Sequence, residues 1–246
     1  MAIAFDAVSL SSVSASVASF NWTHTPVGTP AGVYVVTITS GSSTEHATAV
    51  TYGGVAMTAE AGGSAVDTTA EPAVSTLWAL DTSVPPTGAK TVEVTRTNNA
   101  TEVCAFCITV TSGDGCDVTG VGLTQNDGIL GETNVDDGSP GTNSTRFMVG
   151  FSGRASAPAV GSSTTTLGTI ALGTSNRWGI GGRETTAGQG SRPVGFSDGT
   201  SDDRALVRWA VKQVAAPASS EDFPDMQDPA RGVGALASAR LGGMLQ

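Results

Sequence analysis

Val50-Thr51-Tyr52-Gly53-Gly54-Val55-Ala56-Met57 decides the fold class. Apolar and hydroxyl residues alternate on either side of a Gly-Gly pair, and adjacent glycines permit the positive φ angles of a tight hairpin turn. Ser75-Thr76-Leu77-Trp78-Ala79-Leu80 then reads as a third strand. Pro85-Pro86-Thr87-Gly88 breaks the chain, and Lys90 to Thr95 alternates as a fourth strand. Antiparallel β structure follows, and the same stretch carries no catalytic constellation.

Working outward, Phe5 to Val17 and Ser19 to Thr25 alternate as strands, with Phe20, Trp22 and His24 on one face. Gly32 to Thr39 is the most apolar run, and its β-branched residues favour a central strand buried on both faces. Ala59 to Ala73 reads as a polar excursion. Thr101 to Ser112 is another apolar strand, ended by the turn Gly113-Asp114-Gly115. Val118 to Pro140 is rich in Gly, Asn and Asp without a clear period, so it reads as a long functional or interface loop. Short strands are expected at Arg146 to Ser152, Thr164 to Leu172, Arg177 to Glu184, Pro193 to Ser197 and Arg204 to Val214. The last has Val207, Trp209, Val211 and Val214 largely on one parity and could pair with the N-terminal region to close the sheet, with a helix as the competing reading. About eleven strands suit one antiparallel two-sheet, jelly-roll-like sandwich over residues 1–215.

Ala215 to Ser220 reads as a linker into an extended C-terminal tail, residues 216–246. Val233, Leu236, Leu241, Met244 and Leu245 fall near one helical face there, although Gly234, Gly242 and Gly243 weaken an isolated helix. Such a stripe either frays or packs on its own domain, or it docks on a neighbouring subunit.

Composition narrows the function. A net charge of -10, with Lys only at Lys90 and Lys212, disfavours a surface that tracks phosphates, so no nucleic-acid partner is expected. The opening Met-Ala-Ile-Ala-Phe-Asp-Ala lacks a basic n-region and a long apolar run, so the expectation is synthesis in a cytoplasm without a signal peptide. No run reaches the roughly 18 to 20 apolar residues of a membrane span.

Candidate chemistry is sparse. Cys104 and Cys107 lie three apart in a strand, so their side chains leave opposite faces, and buried thiols are favoured over half of a zinc site or a redox pair. His24 and His46 sit in no nucleophile motif, and no catalytic residue is assigned. Among Asp127, Glu132, Asp136, Asp137 and Glu184 nothing selects two as a hydrolytic pair. Asn134 to Gly138 and Ser197 to Asp203 put acids beside glycine but miss the spaced calcium-loop pattern, so no metal and no cofactor is expected. Gly179-Ile180-Gly181-Gly182-Arg183 lacks the Gly-Lys-Ser/Thr of a phosphate loop. Trp22, Trp78 and Trp209 lie in apolar strands, which leaves Trp178, flanked by Asn176, Arg177 and glycines, as the candidate stacking platform for a carbohydrate.

Phe20-Asn-Trp-Thr-His24, the Val50 to Met57 hairpin, Leu77-Trp-Ala-Leu80 and Pro86-Thr-Gly-Ala-Lys-Thr-Val-Glu-Val94 resemble a loose group of concanavalin-like or jelly-roll sandwich domains. Those domains occur in structural proteins of tailed bacteriophages and in bacterial surface proteins. The likeness spans roughly residues 5–215, rests on turns and core strands, and carries no catalytic residue. It implies a non-enzymatic virion protein, such as a capsid decoration protein, head spike or tail accessory component. Its partners would be a major capsid or tail protein and copies of itself, a trimer if it decorates a capsid. The alternative implied class is a carbohydrate-binding or adhesion module that recognises a host glycan.

Overall fold

The computed structural model describes residues 3–15, 17–81, 84–97, 102–125, 128–129, 131–138, 143–154, 156–173, 176–197 and 201–214. Contacts divide the chain into Met1–Ala215 and Ala216–Gln246, and the described residues all belong to the first unit. Its first half contains β1 (Ala4–Leu10), β2 (Ser19–His24), β3 (Gly32–Ser40), β4 (Ala47–Tyr52), β5 (Val55–Ala56), β6 (Thr58–Asp67), β7 (Ala73–Leu80), β8 (Lys90–Arg96) and β9 (Glu102–Thr111). The second half contains β10 (Cys116–Gln125), β11 (Gly128–Ile129), β12 (Glu132–Val135), β13 (Ser144–Gly153), β14 (Ala159–Val160), β15 (Thr164–Ala171), β16 (Arg177–Glu184), β17 (Arg192–Ser197) and β18 (Ser201–Gln213). All regular structure among the described residues is strand, and every strand pairing is antiparallel.

Among the described residues the sheets number four. An inner five-stranded sheet, β1-β9-β3-β7-β6, faces an inner six-stranded sheet, which holds β10-β18-β13-β16-β15 with β11 paired to β18. The four-stranded sheet β2-β8-β4-β5 covers the outer face of the first, and the three-stranded sheet β12-β17-β14 covers that of the second. The expected sandwich is thus the inner pair, and its outer faces are covered as well.

Strand periodicity explains the layering, since successive side chains leave opposite faces. In β3, Tyr34, Val36 and Ile38 enter the inner core while Val33 and Val35 enter the core under the four-stranded sheet. Strand β9 divides likewise, sending Cys104 and Phe106 inward and Ala105 and Cys107 outward, so the two cysteines do occupy opposite faces. On β18, Val207 and Trp209 enter the inner core, and Leu206 and Ala210 meet the three-stranded sheet. Outer β8 keeps a one-sided alternation, with Val92 and Val94 buried and Thr91, Glu93 and Thr95 exposed.

The inner core is centred on Trp209, which stacks on Phe147 with ring centroids 5.2 Å apart and leans on Tyr34 at 6.3 Å. Glycines let the sheets approach: a Cβ on Gly179 would lie 2.7 Å from Cys104 Sγ, and one on Gly181 would lie 2.8 Å from Phe106. The glycine-rich run 179–182 therefore belongs to packing. At the hairpin, Gly53 and Gly54 hold φ of 58° and 81°, the left-handed pair its turn requires.

Three expectations change. Residues 58–67 are an edge strand, hidden from the sequence by a register shift between Ala59 and Ser64. Residues 118–140 form no single loop, because β10, β11 and β12 lie within or across them. Strand β10 is bulged between Thr119 and Gly122, and Gly120 adopts φ of 60° there, which breaks the two-residue period. The run expected at 204–214 is strand through Gln213 rather than helix and pairs with β10 and β13 rather than with the N-terminal region, placing β18 inside its sheet.

Candidate functional site

Polar groups on the body divide into those that hold layers together and those that reach the surface. Under the three-stranded sheet, Arg146 on β13 is fully buried. Its Nε donates to Val135 O at 2.8 Å, one terminal nitrogen lies 3.2 and 3.1 Å from the Glu184 oxygens, and the other lies 3.2 Å from Asp137. The same guanidinium donates to the carbonyls of Gly188 and Gly190. Asp137 further accepts from Ser144 Oγ at 2.7 Å and Gly190 N at 3.1 Å. Burial pushes the Glu184 carboxyl above its ordinary range, and Arg146 pulls it partly back. In the segment 134–138, Asp137 thus engages Arg146, Ser144 and the Gly190 N–H with its carboxylate. Among the described residues no group of three or more His, Cys, Asp or Glu is placed to hold a metal ion.

On the opposite side, a chain of side-chain hydrogen bonds joins β1, β2 and β9. Thr109 Oγ1 donates to Asp6 at 2.9 Å, so it accepts from His24 Nε2 at 3.2 Å. His24 Nδ1 then accepts from Ser9 Oγ at 2.8 Å, and Ser9 accepts from Trp22 Nε1 at 3.0 Å. Asp6 ends the chain by accepting from Val27 N and Gly28 N. One direction runs through all five groups, and it requires a neutral imidazole. Burial lowers the His24 pKa to about 4, outweighing the attraction of Asp6 for the charged form.

The three thiols are buried, and burial pushes each upward, Cys116 to about 11. Trp178 is half-buried against the small core of the three-stranded sheet, and its Nε1 donates to Arg154 O at 3.0 Å. His46 is bound to Thr44 O at 3.0 Å in an exposed loop. Glu132 accepts from Ser163 N at 2.5 Å. Asp127, Asp198 and the tail residues Val233, Leu236, Leu241, Met244 and Leu245 lie outside the described residues.

One end of the body carries a recess. Residues 29–31, 81, 84–85 and 112–115 surround a cavity of about 530 Å³ whose lining includes Pro30, Ala31, Val84 and Pro85 beside Asp81 and Asp114. Val84 is 87% exposed, and so is Val27, two residues before the loop that supplies Thr29. Val214, 43% exposed, donates its backbone N–H to Gly115 O at 2.9 Å and so sits at the same end. The sequence hides these exposed positions because Val27 and Val84 are single and flanked by turn residues, while Val214 directly follows a strand run.

Comparison with protein-family models, with curated proteins and with solved structures finds no match. The molecule is described by its geometry: an all-β body of several antiparallel sheets. Among its described residues no helix is long and apolar enough to cross a membrane.

Proposed function

We propose that the protein is a non-enzymatic structural component of a tailed-bacteriophage virion, a capsid decoration protein, head spike or accessory protein that binds neighbouring virion subunits. In this reading the body is a jelly-roll-like sandwich of the group its hairpin and strand motifs resemble. The observation that carries the association is the exposure of Val84 on the 530 Å³ recess, with Val27 exposed close in sequence to its lining residue Thr29 and Val214 exposed and hydrogen-bonded to its lining residue Gly115. A second contact is assigned to residues 216–246, through Val233, Leu236, Leu241, Met244 and Leu245. Rigidity favours this role, because buried ion pairs and three separate apolar cores fix the layers before any partner binds.

Truncation after Ala215 should leave a folded body that no longer joins particles of the phage that encodes it. Val27→Asp with Val84→Asp in the full chain should lower incorporation or homo-oligomer formation without moving the melting temperature. Light scattering and particle incorporation measure both. Full incorporation of the truncated chain and of the double variant alike would remove the reading.

A further inference from the structure

A smaller cavity of about 260 Å³ lies beside the three-stranded sheet, lined by the turn at 162–163, the end of β16 with the residues after it, and the start of β17. Glu184, 2% exposed, and Arg192 both line it. Arg192 Nε approaches the Glu184 carboxylate at 3.3 Å, and Arg146 grips that carboxylate from the buried side. The Arg192 side chain is 39% exposed, and its two terminal nitrogens make no hydrogen bond to the described residues. One terminal nitrogen packs against Gly188, and a guanidinium anchored by one nitrogen, with its terminal donors unused among the described residues, is a pre-oriented hydrogen-bonding fork.

Charge selects the ligand. Arg146 and Arg192 balance Glu184 and Asp137, and Glu132, bonded to Ser163 N at 2.5 Å, adds a further negative charge beside the cavity. A phosphate or carboxylate would meet this excess, and a free cation would meet Arg192. Neutral hydroxyls satisfy both groups, donating to a carboxylate and accepting from a guanidinium. The hydroxyls of Ser162, Ser163 and Thr185 extend the polar lining, and Pro193 supplies an apolar wall. The volume falls below the roughly 300–1,000 Å³ of sites for drug-sized ligands, which fits one sugar ring rather than a chain.

We propose that this cavity binds a single neutral monosaccharide unit, with Arg192 donating to, and Glu184 accepting from, hydroxyls of the ring. The site differs from Trp178 and from the valine-rimmed recess, and it does not depend on the virion reading.

Saturation-transfer NMR on the full chain tests it, using the methyl α-glycosides of glucose, mannose and galactose, N-acetylglucosamine, and N-acetylneuraminic acid as the anionic comparison. At least one neutral sugar should bind with a Kd of about 1–10 mM. Arg192→Ala should weaken it about tenfold and Thr185→Val about threefold, while Trp178→Ala leaves it unchanged. Thr185 is exposed, so its variant keeps the test decisive if Arg192→Ala perturbs folding. Absence of transfer to every neutral sugar overturns the proposal. So does preference for N-acetylneuraminic acid, unchanged binding in Thr185→Val together with Arg192→Ala, or loss of binding in Trp178→Ala.

Discussion

The two outer sheets cover equivalent faces of the inner pair by different physics. The four-stranded sheet rests on a continuous apolar layer that includes Val50, Tyr52, Val92 and Val94 against Val33, Val35, Trp78 and Cys107. Such a layer is non-directional and stabilises by about 25 cal/mol for each Å² removed from water. The three-stranded sheet has a smaller apolar cluster and surrounds Arg146, which binds Val135 O, Asp137 and Glu184 at once. A buried ionic hub adds little net stability over an apolar replacement but costs heavily when one member is removed. One cover is held by area, the other by a few groups that fix its position.

The sharpest way to break both covers together is to remove the layer they share. Trp209→Ala should cost about 5 kcal/mol in urea unfolding, because it empties the space between Phe147 and Tyr34. Hydrogen exchange should show both outer sheets losing protection in step. Trp209→Phe should recover most of the loss, since the buried indole N–H has no hydrogen-bond partner among the described residues. Independent loss of the outer sheets in Trp209→Ala would mean that the inner pair is not their common support.

Removing the hub should separate the covers. Arg146→Leu leaves Asp137 and Glu184 buried without their cation, and it should cost about 4 kcal/mol, with exchange rising first in β12 and β17. Adding Asp137→Asn and Glu184→Gln should restore part of the loss by removing the stranded charges. A cost below about 1 kcal/mol for Arg146→Leu would show that the small apolar cluster alone holds the sheet.

The same contrast governs what was legible in the sequence. Gly32 to Thr39 and Lys90 to Thr95 announced their roles because continuous apolarity marks an inner strand and alternation an outer one. The hairpin was legible because Gly53-Gly54 has few other uses. Strands β6 and β10 were not, since each carries a register shift and a left-handed glycine that destroy the period on which strand reading depends. Nor was the number of sheets, because side-chain parity shows that both faces of β3 are covered without showing what covers them. Acids at 137 and 184 were visible as residues, but their convergence depends on β13, β16 and the residues after β12 meeting around Arg146, a long-range fact. Trp178 looked available from its glycine neighbours, and only the fold shows its ring half-buried with the indole N–H given to Arg154.

The apolar cover carries polar groups as well, the buried Arg96–Glu45 pair and the donor chain through His24, and pH should sharpen the comparison by acting on the second. His24 is neutral in the folded state at ordinary pH, with its pKa lowered from 6.5 to about 4. A depressed folded pKa means that its contribution is fully present above the unfolded value of 6.5 and is lost as pH falls toward 4. The shift corresponds to at most about 3 kcal/mol, at 1.36 kcal/mol per pH unit. Glu184 works in the opposite sense, because its raised pKa makes the folded state gain as that carboxyl protonates. The difference between the wild type and His24→Gln isolates the donor chain, since Gln can accept from Ser9 and donate to Thr109 without titrating in this window. Unfolding free energy measured from pH 7.5 to 4 should fall more steeply in the wild type than in His24→Gln, and exchange should rise first in β2. Parallel curves would mean that the donor chain from Trp22 to Asp6 tolerates a charged imidazole, so that this cover is held by its apolar layer rather than by that chain.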